Sequence, residues 1–180
     1  MNTTQNSTPA NNCKLIPGNG CVHAAKNIRI ELKAAFPETK FSVRSESYSM
    51  GNAIRIGWTD GPTSAQVEAI SDKYEAGHFG CDEHGNQDIY TYSKNAQNYG
   101  SAKYISTNRE LSDSFRAELI EGVAKHYGDQ NKPTVEQWKN GEAWNVSPLD
   151  GNPDPHWCWQ GLLYRSSVHS TPGSVVPSDY

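Results

Sequence analysis

Two imidazoles and a thiol stand close together at His78, Cys81 and His84, within HFGCDEHGNQ. Imidazole and thiolate are zinc ligands, and an i, i+3, i+6 spacing in a loop can bring three of them together. A fourth ligand has to come from elsewhere, with His156 and Cys158 as the candidates. A strong zinc signature pairs short spacers in both halves, and this chain does not. A solvated polar loop is therefore the preferred reading, and neither a metal nor another cofactor is expected. The same residues offer a Cys81 nucleophile with His78 or His84 as base. The neighbouring Asp82, Glu83 and Asp88 favour the protonated, unreactive thiol. Asp60, in WTDGP, is a tempting catalytic carboxylate. Asp before Gly-Pro at a strand-to-helix turn is also what turn and capping chemistry selects, and that role is preferred. No Ser-His-Asp elbow, phosphate loop, dinucleotide fingerprint or His-Glu-x-x-His motif is present. The residues thus point away from an enzyme, with a small enzyme at Asp60 or the Cys81/His84 loop kept as an alternative.

Charge offers a second kind of chemistry. The net charge of -4 argues against a dominant nucleic-acid binder. Its distribution says more. Lys26 to Arg55 carries six basic and three acidic residues. Thr59 to Asp88 carries seven acidic residues against Lys73 alone. Asp60, Glu68, Asp72, Glu75, Asp82 and Glu83 are the candidate acidic face for a partner. Carboxylates on a helix and the following loop can occupy a basic groove that normally holds nucleic acid. The alternative surface is basic: Lys26, Arg29, Lys33, Arg44, Tyr48 and Arg55, with arginine and tyrosine suited to phosphates and bases. Both sets also fit the ordinary role of charge runs, which is to solvate a face.

The elements that must position these residues are legible in part. Val22, Ala25, Ile28, Leu32 and Phe36 make a helical apolar stripe from about Cys21 to Phe36, with Lys26, Arg29 and Lys33 beside it. Pro37 ends that helix. KFSVRSESYSMGNAIRIGWTDGP (40–62) alternates with period two on both sides of Ser-Met-Gly-Asn, the mark of a β-hairpin with one buried face. Phe41, Val43, Ile54, Ile56 and Trp58 are expected to pack on the helix; Arg44, Glu46, Tyr48 and Arg55 face the other way. A second helix is expected from Pro62 to Glu75, with Val67, Ile70 and Tyr74 inside and Gly77 as its stop.

His78 to Gln87 reads as a loop, Asp88 to Ser93 as a third strand, Asn95 to Ser101 as a polar turn and Lys103 to Thr107 as a fourth strand. Tyr90 and Tyr92 share one face of the third strand. Thr107 to Glu110 offers a capping box for a third helix with Leu111, Phe115, Leu119 and Val123 inside and Gly128 as its stop. Thr134 to Lys139 reads as a helical turn and Trp144 to Pro148 as an ordered loop. Trp157 to Arg165 is apolar enough for a core element, helix or strand. The order α-β-β-α-β-β-α gives an α+β fold: an antiparallel sheet of about four strands with helices on one face, plus an aromatic-rich C-terminal extension.

Length and composition set the frame. A chain of 180 residues is one domain by default. Residues 1–20 read as a flexible lead, 21–167 as the domain and 168–180 as a flexible tail. Mean hydropathy is -0.76. No apolar run reaches the length of a membrane span, so no membrane role is expected. The N-terminus MNTTQNSTPANN lacks the basic start and apolar core of a secretory signal. Four scattered cysteines read as free thiols in a reducing cytoplasm.

KFSVRS, SYSMG, WTDGP, DIYTY and AKYISTNRELS together resemble the large polyvalent protein-associated domain of the KFSVR…WTDGP type, over roughly Val22 to Phe115. Such domains occur in phage, prophage and plasmid proteins. The resemblance implies a mobile-element accessory protein acting in the cytoplasm of a bacterial host cell, against host defence. It carries no catalytic residues over. Where relatives have a Phe-Asp-Gly-Met-type turn, this chain has Phe79 to Gln87. The leading expectation is a non-enzymatic inhibitor of a bacterial defence or nucleic-acid-processing complex, such as a CRISPR–Cas effector or a restriction system. A nucleic-acid-binding module acting on incoming or host DNA or RNA is the alternative, with oligomeric state left open.

Overall fold

The computed structural model describes residues 13–80, 89–148 and 157–177. They form two compact units: one of residues up to Trp58 with Ala65–Asn108, the other of Thr59–Ser64 with residues from Arg109 onward.

In the first unit, α1 (Gly20–Ala35) buries Cys21, Ala24, Ala25, Ile28 and Leu32. Val22, expected in this stripe, is 53% exposed. At 3.6 residues per turn it lies roughly 120° round the helix from Ile28, and Ala24 and Cys21 take its place. The Phe36 N–H closes the helix on the Leu32 carbonyl, one residue before Pro37. β1 (Ser42–Tyr48) and β2 (Gly51–Thr59) pair antiparallel across a two-residue turn, with Val43 opposite Ile56, Arg44 opposite Arg55 and Tyr48 opposite Gly51. Val43, Ile54, Ile56 and Trp58 are buried with α1, as the alternation required.

α2 (Ser64–Ser71) runs into a 3-10 turn at Asp72–Tyr74, and Val67, Ile70 and Tyr74 join the same core. The chain then reaches β5 (Tyr104–Glu110). The strand order is β1-β2-β5. The Lys103 N–H donates to Asn52 Oδ1 at one end of β2, and the Asp60 N–H donates to the Glu110 carbonyl beyond the other. β2 and β5 therefore run parallel. The sheet has three strands and is mixed, where about four antiparallel strands were expected. The intervening α2 crossover supplies the length that a parallel connection needs.

The missing strand belongs elsewhere. β3 (Gly77–Gly80), expected as part of a loop, pairs antiparallel with β4 (Ile89–Tyr92) as a separate two-stranded sheet. Gly77 thus opens a strand; the helical run has already ended at Tyr74. The polar stretch after it is a helix, α3 (Lys94–Tyr99), capped by the Ser93 hydroxyl on the Ala96 N–H. Ala96 is its one buried residue, so no periodicity marks it. Thr107–Glu110 do not form a capping box. They continue β5 in alternating exposure, and Ser112 caps the next helix by accepting the Phe115 N–H.

In the second unit, α4 (Asp113–Tyr127), α5 (Val135–Lys139) and α6 (Trp159–His169) surround Phe115, Leu119, Val123, Trp138, Trp159 and Leu162. The apolar WCWQGLLYR run is thus mostly helix. Thr134 and Gln137 form a reciprocal capping box that starts α5. A 3-10 turn at Glu142–Asn145 occupies part of the expected ordered loop. The Trp159 indole N–H donates to the Gln130 carbonyl at 3.0 Å. Residues expected as a loose tail begin inside α6 and then return along α4. The Gly173 N–H donates to Glu118 Oε1 at 2.7 Å, and a Cβ at Gly122 would lie 2.4 Å from Val175 Cγ1. Val175 sits on α4 because position 122 has no side chain.

Candidate interaction surfaces

The acidic face survives in part. Glu68, Asp72 and Glu75 are all exposed, one helical step apart along α2 and the turn that follows. Glu68 Oε1 accepts the Thr107 hydroxyl at 2.8 Å. Lys73, the lone cation of this stretch, does not neutralise them. Its Nζ lies 2.7 Å from the Glu31 carboxylate and 5.6 Å from the Tyr74 ring centroid. Tyr74 beneath is fully buried, and burial, with Glu31 next, pushes its phenol up so that it stays protonated. Asp72 is held above the ordinary carboxylate range by partial desolvation and then by the Glu68 charge. A raised carboxyl means that the folded state binds the proton more tightly than the unfolded chain. Ionised Asp72 therefore opposes folding at neutral pH, and its contribution improves as pH falls through the raised value. Replacing Asp72 by Asn is expected to leave stability equal or higher, by no more than about 0.5 kcal/mol for so exposed a group. Urea titration at neutral pH checks this, and a clear loss of stability would contradict it.

Asp60 does not join that stripe. It holds a positive φ of 55°, its Oδ1 accepts the Ser112 N–H at 2.7 Å, and its carbonyl accepts from Arg109. This is turn chemistry in the second unit. Asp82 and Glu83 lie outside the described residues, as do Cys81, His84, Asp88 and His156. Among the described residues, no three His, Cys, Asp or Glu side chains come together as a metal set. A cleft of about 260 Å³ beside α5 presents Asn131, Lys132, Gln137 and Glu142, and the Lys132 ammonium is ion-paired with Glu121 at 2.9 Å. Among the described residues no helix is long and apolar enough to cross a membrane.

The basic set divides. Lys26, Arg29 and Lys33 are exposed on α1, which packs on the buried side of the sheet; an Arg29 Nη2 N–H donates to the Val43 carbonyl. Arg44, Tyr48 and Arg55 project from the opposite face, so one ligand surface does not contain all six. Arg55 pairs with Glu46 at 3.2 Å. Cross-strand register places Arg44 directly opposite Arg55, a like-charge pair that costs the hairpin stability.

Two inward-facing polar residues escaped the sequence reading, one half-buried and one fully buried. Arg109, on the inner side of β5, is a cation surrounded by carbonyls. Its Nε donates to Asp60 O (3.0 Å), Nη1 to Ser167 O (2.8 Å), and Nη2 to Gly61 O (3.1 Å) and Ser170 O (3.0 Å). Its guanidinium carbon is 5.3 Å from the Phe115 ring centroid. Burial lowers its pKa, with Asp60 acting the other way. Asn27 is fully buried on α1. It accepts the Ile16 N–H (2.8 Å) and donates to the Ile16 and Tyr99 carbonyls (2.9 Å each). The signal for Arg109 was its inward place in the alternation of TNRE; Asn27 lies between Ala25, Ile28 and the basic stripe without any signal of its own.

A family model described as large polyvalent protein associated domain 29 matches residues 20–112, from the start of α1 to the cap of α4. No curated protein and no solved structure matches the chain.

Proposed function

The chain belongs to the family of large polyvalent protein associated domain 29, and on that premise we propose that it is a phage or plasmid accessory protein that inhibits a host-defence complex by binding it. It acts in the bacterial cytoplasm and without catalysis. The observation that carries this reading is the stripe of Glu68, Asp72 and Glu75: three exposed carboxylates in a stretch, Thr59 to Asp88, whose one lysine, Lys73, is committed to Glu31. Like charges held side by side raise each other's energy, and the Glu68 charge adds to partial desolvation, the larger cause, in raising the Asp72 carboxyl. A cationic partner relieves that repulsion, so the stripe is electrostatically prepared for a groove built to hold nucleic acid, as in a CRISPR–Cas effector or a restriction enzyme.

The test is a challenge assay. Bacteria carrying a defined CRISPR–Cas or restriction system express the chain and are infected with a targeted phage. Wild-type protein is expected to restore plating toward the defence-free level. The triple variant Glu68→Lys, Asp72→Lys, Glu75→Lys reverses three contacts worth ~1 kcal/mol or more each, so affinity falls by about 100-fold or more. The variant should leave the defence intact while keeping the wild-type circular dichroism. A triple variant that protects as well as wild type would remove the acidic stripe from the mechanism.

A further inference from the structure

The outer face of the β1-β2-β5 sheet is not explained by the acidic stripe. Register sets Arg44 against Arg55 and Tyr48 against Gly51. The Lys103 N–H to Asn52 bond carries the same end of the sheet across to Lys103 and Tyr104. Tyr104 belongs to the exposed phase of β5, whereas Ile105 packs into the core. A Cβ on Gly51 would lie 3.0 Å from Lys103 Cδ and 3.4 Å from Tyr48 Cε2. The bare glycine is therefore what lets an aromatic ring and a lysine stem close over β2 from both sides. Lys103 Nζ is 5.4 Å from the Tyr104 ring centroid. Tyr48 is 49% exposed and Tyr104 53%, and Met50 at the hairpin turn is 83% exposed.

These residues make a sheet surface with a tyrosine on each outer strand and three cations, Arg44, Arg55 and Lys103; the exposed carboxylates of the same phase are Glu46, paired with Arg55, and Glu110, at the end of β5 away from Tyr104. The tyrosines are two strand spacings apart, about 10 Å. We propose that this face binds single-stranded nucleic acid, with Tyr48 and Tyr104 stacking on bases and Arg44, Arg55 and Lys103 holding phosphates. Two features favour that occupant. Opposed arginines repel one another in the free protein, and a phosphate between them removes the repulsion. Exposed phenol faces match the faces of unpaired bases, which a duplex keeps stacked inside. The assignment is independent of the acidic stripe, which uses other elements.

The measurement is fluorescence anisotropy of the full chain with labelled oligothymidine and oligouridine of about fifteen nucleotides, and with a DNA duplex of similar charge, over a salt series. One or both single strands are expected to bind at low salt and more tightly than the duplex, and the comparison of the two tells which sugar the face prefers. The slope of log K against log salt should be about -2 for three phosphates. Tyr48→Ala and Tyr104→Ala should each weaken binding by about 10-fold. Arg44→Glu should abolish binding while the melting temperature stays level or rises, because glutamate opposite Arg55 replaces a repulsive pair with an attractive one. All three positions are exposed, and circular dichroism verifies that each variant is folded. No anisotropy change at low salt, tighter binding of the duplex, or unaltered affinity in the double tyrosine variant would overturn the proposal.

Discussion

Replacing Arg109 by Met is expected to destabilise the protein by about 3 kcal/mol or more. Four donors are lost at once, and four carbonyls, from Asp60, Gly61, Ser167 and Ser170, are left facing a thioether. Hydrogen bonds to a charged group contribute about 1.5–3 kcal/mol each, and because they share one side chain they are not additive. Met fills comparable volume and keeps contact with Phe115, so the loss reports the carbonyls and not a cavity. Arg109→Lys should recover less than half, since an ammonium offers a point charge in place of a fork of five N–H groups. Urea titration followed by tryptophan fluorescence suits this unit, which contains Trp138, Trp144, Trp157 and Trp159. A loss below about 1 kcal/mol would show that water replaces the guanidinium at little cost.

Asn27 is the comparable point in the first unit. Asn27→Ala should cost about 2–4 kcal/mol, because the Ile16 amide and the Ile16 and Tyr99 carbonyls all lose a buried partner. Asn27→Asp sharpens the test. Its carboxylate can still accept the Ile16 N–H, but the second oxygen faces two carbonyls. Burial and those dipoles raise the folded pKa of the new carboxyl above the unfolded value of about 3.9. The folded state then holds the proton more tightly, so the Asp variant loses stability as pH rises and recovers it as pH falls. Asn27→Asp should be the worse variant at pH 7 and approach or pass Asn27→Ala near pH 4. Denaturant titrations at the two pH values decide it, and a pH-independent difference would contradict the buried geometry.

Much of the first unit was legible because its code is local. Alternation in KFSVRS and NAIRIGW fixed the hairpin and its buried face, and helical spacing fixed α1 apart from the exposed Val22. The family was legible too, through motifs that the match over residues 20–112 now supports. Sheet topology was not. Whether β5 adds to β2 in parallel, and whether β4 joins it or pairs with β3, depends on contacts far apart in the chain that no alternation encodes. β3 is four residues bracketed by glycines, and α3 buries a single alanine, so neither carries a pattern. Among the candidate site residues, Glu68, Asp72 and Glu75 were correctly exposed because period alone places them. Asp60 was assigned to both a turn and an acidic face, and the turn holds it. The grouping of α1 cations with hairpin arginines failed because shared composition does not imply a shared face.

Whether Glu68, Asp72 and Glu75 seat a basic protein partner is decided by paired affinity capture. Tagged wild-type chain and the Glu68→Lys, Asp72→Lys, Glu75→Lys variant are incubated with lysate of defence-positive bacteria at physiological salt, treated with nuclease, and eluted with a salt step. The proposal expects one defence complex, in stoichiometric amount, on the wild-type chain after nuclease treatment. Rising salt should release it, and the variant should not retain it. Equal retention by both proteins, or no complex on the wild-type chain, would contradict the acidic-stripe mechanism.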